Sequence, residues 1–127
     1  MGSIINELAI HSAVIRDSKK SIKNELNIDL KAVMIGQVIL EYCKQNDTSI
    51  VPMHEVAKRT QLKQPEIQKS MRYLYQDHKI IRKFRHSTDE RLVNIELIDK
   101  TTLEKYVTEA ENIINIHLTK IHKSIIY

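Results

Sequence analysis

The 127-residue sequence predicts a single domain that is mostly α-helical and carries one small β-hairpin. Two glycines and two prolines are too few for the tight turns of a many-stranded sandwich or barrel. Apolar residues recur at three- and four-residue spacing over several long segments, which is typical of amphipathic helices. One segment, residues 92–97, instead alternates apolar and polar side chains as a β-strand does.

The first arm of the chain, residues 1–45, predicts two helices. The first has one apolar stripe, which polar residues interrupt at Ser12 and Lys19. The second begins at an Asn27 or Asp29 cap and is apolar on nearly all sides, which is typical of a central core helix. The stripe of the first helix consists of Ile5, Leu8, Ile15, Ile22 and Leu26.

Two short helices follow a brief strand at Ile50 and Val51. Pro52 is a suitable entry to a helix over residues 53–60, and Gln64-Pro65 begins another helix, because proline is tolerated in a first helical turn. In the helix that begins at Gln64-Pro65, apolar residues at i, i+4 and i+7 point inward and leave a polar face exposed. The inward residues are Ile67, Met71 and Leu74, and the outward ones are Gln64, Gln68, Lys69 and Arg72.

Arginine, lysine and glutamine side chains can bind base edges and phosphates, so the two short helices are a candidate helix-turn-helix whose second helix enters the major groove. A solvated basic face on an ordinary helical hairpin is the alternative. Residues 80–85 and 92–97 favour the first interpretation, because they predict a basic two-stranded hairpin. Its polar connection, residues 86–91, is a candidate wing in which Arg85 or Arg91 reaches an A·T-rich minor groove and Asp89 orients one arginine.

The last arm, residues 99–127, predicts one helix of about six turns. Asp99 and Thr101 are suitable caps. The helix is on the order of 40 Å long, more than this domain can cover, so part of its apolar face requires another chain. That face consists of Leu103, Val107, Ala110, Ile114, His117 or Leu118, Ile121 and Ile125, with His117 expected to be a hydrogen-bonded interface histidine rather than a metal ligand or a pH switch.

Positive charge is concentrated in the middle of the chain. Residues 53–91 carry ten Lys and Arg against five Asp and Glu, whereas residues 1–45 carry six against five and residues 92–127 carry four against five. A basic segment between two nearly neutral arms indicates a module that binds a polyanion.

The sequence resembles the SarA branch of the MarR family of winged-helix transcription regulators. The resemblance rests on Lys63-Gln64-Pro65, on Leu74 and Ile80-Ile81, and above all on the Asp89-Glu90-Arg91 wing between Lys83 and Val93. It covers nearly the whole chain, with residues 1–45 and 99–127 as core and dimerisation helices and residues 50–97 as the DNA-binding lobe.

The resemblance implies a homodimer that represses or activates transcription by occupying promoter DNA. Two-fold symmetry further predicts a pseudo-palindromic double-stranded site. The residues expected to bind DNA are Lys63, Gln64, Gln68, Lys69 and Arg72 in the recognition helix and Lys83, Arg85, Asp89, Glu90 and Arg91 in the wing.

Other function classes find little support in the sequence. Phosphate-loop, nucleophile-elbow and paired-histidine motifs are missing, so we expect no enzymatic activity, cofactor or metal. No apolar run approaches the roughly eighteen residues of a membrane span, and with a single cysteine, Cys43, the chain is expected to be cytoplasmic. Cys43 is interpreted as a buried structural thiol, and oxidation sensing by the family's route is not expected because the first helix has no cysteine. The alternative function is a winged-helix module that binds an acidic protein.

Overall fold

The computed structural model describes residues 16–85 and 93–126, with side chains as far as Thr119. Within these residues five helices pack with a three-stranded antiparallel sheet, so the predicted mostly α-helical fold is confirmed. Helix α1 includes residues 16–26. The other elements are α2 (Leu30–Asn46), β1 (Ile50–Pro52), α3 (Met53–Thr60), α4 (Gln64–Arg72), a π-helical turn (Tyr73–Asp77), β2 (Ile81–Arg85), β3 (Val93–Leu97) and α5 (Lys100–Ile126).

Helix α2 is the central helix that the sequence predicts. Its cap is Asp29, whose carboxylate accepts a hydrogen bond from the Ala32 amide at 2.7 Å. The apolar residues are not buried on every side, because Met34 is 39% exposed. Gly36 allows α5 to approach closely, since a Cβ atom there would lie 2.7 Å from Cδ1 of Leu103. The buried residues of α2 are Ala32, Val33, Ile35, Gly36 and Ile39.

The predicted hairpin is confirmed, and β1 joins it as a third strand. The strand order is β1-β3-β2, with Ile95 of β3 opposite Val51 on one side and Lys83 on the other. Strand β2 begins at Ile81 rather than at Ile80, whose carbonyl oxygen instead accepts the amides of residues 98 and 99. Ile95 and Ile81 are buried, so one face of the sheet belongs to the core.

Helix α5 has 27 residues, about 40 Å at 1.5 Å per residue. Asp99 caps it as predicted, because its carboxylate accepts both the amide and the hydroxyl of Thr102. The fourth position of the buried stripe is Ile113, 7% exposed, rather than the predicted Ile114, which is half-buried. The stripe consists of Leu103, Val107, Ala110 and Ile113.

Helix α1 packs against the rest of the fold through Ile22, which is fully buried. Ser21 and His117 form a hydrogen bond at 3.0 Å between Oγ and Nε2, so His117 is hydrogen-bonded as predicted, and its place at an interface stays a prediction. The predicted apolar positions 5, 8 and 15 lie outside the described residues. None of the helices in the described part of the chain has the length and apolar character that a membrane crossing requires.

Candidate nucleic-acid interface

Helices α3 and α4 form the helix-turn-helix that the sequence predicts. Helix α3 ends at Gln61, which has a left-handed backbone (φ 57°) and donates its amide to the Ala57 carbonyl at 2.9 Å. Helix α4 begins three residues later, at Gln64, with Pro65 in its first turn. Two short helices joined by a tight turn are the framework that presents a recognition helix to DNA.

The inner face of α4 is anchored in the core. Ile67 and Met71 of α4 are fully buried, as their spacing predicts, and so is Leu74, which lies in the π-helical turn after α4 rather than in the helix itself. Ser70 is buried beside them, and its hydroxyl donates a 3.0 Å hydrogen bond to Asp29. Because the other oxygen of Asp29 caps α2, one carboxylate positions both α4 and the start of the central helix.

The outer face of α4 carries the four predicted side chains. Lys69 and Arg72 are exposed, and neither makes an ion pair with any residue that the structure describes. Gln64 and Gln68 are exposed beside them. The face therefore presents amide groups and positive charges, the groups that bind base edges and phosphates.

A network of hydrogen bonds holds the start of α4. Glu66 accepts the Lys63 amide and the Lys31 ammonium group, each at 3.0 Å. The Lys63 amide, and after it the Lys31 side chain, lower the pKa of Glu66 because both stabilise its ionised form. The exposed side chain of Lys63 lies beside Gln64, as the expected site requires.

Strand β2 brings the base of the hairpin close to the end of α4. Lys83 and Arg85 are exposed and, being two residues apart, lie on the same side of the strand. The Lys83 ammonium group lies 4.8 Å from the ring centroid of Tyr75, which belongs to the π-helical turn directly after α4. Arg82, on the other side of the strand, pairs with Glu96 at 3.5 Å. The structure therefore places Lys83 beside the π-helical turn that directly follows α4.

Three of the expected wing residues, Asp89, Glu90 and Arg91, lie outside the described residues, within the connection 86–92. Strands β2 and β3 pair up to Arg85 opposite Val93, which places both ends of this connection side by side. The roles of the three residues stay predictions.

Cys43 is partly buried, not fully buried as expected. Burial raises the pKa of its thiol, and the positive charge of Lys100 offsets only part of that rise. The neutral thiol is therefore favoured, which is the opposite of what a reactive cysteine requires.

The family described as Transcriptional regulator SarA/Rot matches residues 17–108 of this chain. Among curated protein sequences, none matches it. Solved structures that share its fold include three transcription regulators. The regulator BldR from Sulfolobus solfataricus is 18% identical with a TM-score of 0.68, and the match covers 94% of this chain and 79% of that chain.

The second structure is MepR from S. aureus in a complex with DNA, 16% identical, with a TM-score of 0.65 and coverage of 98% and 84%. The third is AbsC from Streptomyces coelicolor, a MarR family regulator, 13% identical, with a TM-score of 0.66 and coverage of 97% and 86%. At these identities the likeness shows the fold, which is the MarR-like winged helix.

Proposed function

The chain belongs to the SarA/Rot family of transcriptional regulators, and from this premise we propose that it binds promoter DNA as a homodimer with a preference for particular sequences. The DNA-binding and regulatory class follows from the family, which also confirms the prediction that the chain is not an enzyme. The proposal adds the geometry, with α4 in the major groove and the hairpin at the neighbouring minor groove.

The exposed face of α4 is the observation that carries the proposal. Its inner face is held by the core and by Asp29, so the helix is preorganised and the backbone from which its outer side chains project is held in place. Gln64 and Gln68 lie about one turn apart on the same side of α4, so both can face the groove, where a glutamine can pair with the edge of an adenine through two hydrogen bonds. The MepR relative, which shares this fold, is itself seen with DNA.

The hairpin supplies the second contact. Lys83 and Arg85 extend positive charge from α4 along β2 towards the connection 86–92. Arg91 lies in that connection, and an arginine there suits the narrow, electronegative minor groove of an A·T-rich stretch. Asp89 and Glu90 are proposed to orient the basic side chains of the wing.

The apolar side chains near the end of α5 support the proposed dimer. Ile116 and Leu118 are 54% and 39% exposed in the single chain, at the part of the helix beyond its buried stripe. A second copy that covers these side chains places two copies of α4 about a two-fold axis. The predicted site is then pseudo-palindromic, with half-sites spaced by about one helical turn, roughly 10 base pairs.

Selection of duplexes from a random pool, followed by titration of the selected duplex at several salt concentrations, tests the proposal. We expect a pseudo-palindromic sequence with A·T-rich flanks and a steep fall of affinity with salt, because phosphate contacts release counterions. A pool that does not enrich, together with a flat salt response, would favour the acidic protein partner instead.

The wing is tested by repeating the selection with Arg91→Ala. If Arg91 reads the minor groove, the A·T preference of the flanks is lost while the central bases selected by α4 stay the same. An unchanged flank preference would remove the wing from the proposed site.

A further inference from the structure

A pocket of about 570 Å³ lies beside the recognition helix, where α1, the start of α2 and α4 meet. Five lysines line it, three of them from α1 and one each from α2 and α4. Two carboxylates, Asp29 and Glu66, also line it. We call this site the lysine pocket, and its lysines are Lys19, Lys20, Lys23, Lys31 and Lys69.

Both carboxylates of the lysine pocket are bound by groups of the protein. Asp29 accepts the Ala32 amide and the Ser70 hydroxyl, and Glu66 accepts the Lys63 amide and the Lys31 ammonium group. Only one of the five lysines is therefore paired with a lining carboxylate, and the pocket keeps an excess of positive charge.

The remaining lysines are available to a ligand. Lys19, Lys20 and Lys69 are exposed and make no ion pair with the residues in the described ranges. The ammonium group of Lys23 lies 4.0 Å from the ring centroid of Tyr73, a contact that orients it without neutralising its charge. Because an ammonium group acts as a point charge with three donors, such a cluster suits phosphate oxygens better than base edges.

The position of the lysine pocket beside α4 favours DNA as the source of a phosphate ligand. Lys69 belongs both to the pocket and to the exposed face of α4, so the two surfaces are continuous. A duplex whose major groove receives α4 has a phosphate backbone on each side of that helix. One of these backbones would pass the mouth of the pocket.

We propose that the lysine pocket binds a backbone phosphate of the DNA at the edge of the major groove. Lys19 and Lys20 of α1 then extend the DNA contact beyond residues 50–97 and onto a helix for which the sequence predicts dimerisation alone. The inference rests on the proposed function, because it requires α4 to enter the groove.

The test is the salt dependence of binding to an A·T-rich duplex of about three helical turns, roughly 30 base pairs. The variant carries Lys19→Gln and Lys20→Gln, and the control is Lys44→Gln, an exposed lysine at the opposite end of α2. We expect the double variant to flatten the slope of log affinity against log salt by about 0.9 for each phosphate that it no longer neutralises, and the control to leave the slope unchanged.

A second measurement locates the contact on the DNA. Replacing single phosphates by neutral methylphosphonates should weaken wild-type binding at one flanking position in each half-site. The same replacement should have no effect on the double variant. The charge-conserving pair Lys19→Arg and Lys20→Arg should keep the wild-type slope, which separates loss of charge from a change in the packing of α1.

The outcomes separate the two proposals. If the wild-type protein binds with a steep slope and the double variant has the same slope and the same methylphosphonate profile, the proposed role of the lysine pocket is wrong. The proposed function would then stay intact. Wild-type protein that shows no salt-dependent binding at all would overturn both.

Discussion

Helices α4 and α5 differ in how completely the chain buries their apolar faces. Helix α4 has nine residues, and the core of its own chain covers its inner stripe completely. Helix α5 has 27 residues, and the chain covers its stripe as far as Ile113 but leaves Ile116 and Leu118 largely exposed. Within the residues that the structure describes, the apolar side of the shorter helix is covered, whereas that of the longer one is not.

This difference supports the different partners proposed for the two helices. A helix whose apolar side is already buried offers mainly polar groups to a ligand, which suits a hydrated and charged duplex. A helix that ends with uncovered isoleucine and leucine gains free energy by packing against another apolar surface. The proposed recognition and assembly surfaces are therefore separated along the chain, and we expect that each can be disturbed without the other.

The largest expected effect comes from the inner face of α4. Met71→Ala removes a fully buried side chain and should lower the free energy of unfolding by about 2–5 kcal/mol. Chemical denaturation at fixed protein concentration measures this loss in the free energy of unfolding. Met34→Ala is the matched control, because that methionine is 39% exposed and should cost clearly less. Equal losses for the two methionines would show that α4 is not anchored as described.

The next effect concerns α5. Ile116→Asp replaces an exposed apolar side chain of the proposed dimer contact by a charge and should weaken dimerisation by about 2–4 kcal/mol if Ile116 is a major contact of that interface. Sedimentation should detect monomers at concentrations where the wild type is dimeric. The control is Asn115→Asp, which adds the same charge at an exposed neighbour. A wild-type protein that sediments as a monomer would contradict the role given to α5.

The elements that the sequence predicts best are those with local signals. Pro52 and Pro65 mark the starts of α3 and α4, and both helices begin within a residue of these prolines. Asp99 caps α5 because the side chain and the amide that it accepts are three residues apart. Such contacts form between neighbours in the chain, so the pattern of residue types is sufficient to find them.

Contacts between distant residues could not be predicted in this way. Asp29 and Ser70 are 41 residues apart, and an aspartate that caps one helix gives no sign that it also holds another. The lysine pocket is a similar case, since Lys19 resembles a mere interruption of an apolar stripe until the fold places it near Lys69. The pairing of β1 with β3 also depends on the fold, because a three-residue strand carries too little pattern to select a partner.

The outer face of α4 gives a smaller effect that bears on binding alone. Arg72→Ala should weaken DNA binding by about 1–3 kcal/mol and leave the melting temperature nearly unchanged, because the side chain is exposed. Fluorescence anisotropy with the selected duplex measures the first quantity and thermal unfolding the second. Lys44→Ala, at the far end of α2, should change neither. A large fall in melting temperature for Arg72→Ala would make the arginine structural rather than a DNA contact.

The smallest expected effect is the pH-dependent stability that one carboxylate contributes at the start of α4 and another at the start of α5. Each helix start is held by a carboxylate whose pKa is lowered, Glu66 by the Lys63 amide and then Lys31, and Asp99 by the Thr102 hydroxyl and then its amide. Because the folded state favours the ionised form, each carboxylate contributes stability above its unfolded pKa, about 4.3 for Glu and 3.9 for Asp. That contribution is lost as the pH falls through the lower folded value.

We therefore expect Glu66→Gln and Asp99→Asn each to lower the melting temperature slightly at pH 7 and progressively less as the solution is acidified below about pH 4. The gap closes because acid neutralises the wild-type carboxylate as well. The two helices differ in what else is lost, since Glu66→Gln also weakens the charge pair with Lys31 beside the recognition helix and Asp99→Asn does not. Only the first variant should alter DNA affinity at pH 7. A melting-temperature gap of constant size down to pH 2 would show that these carboxylates are not held in their ionised form.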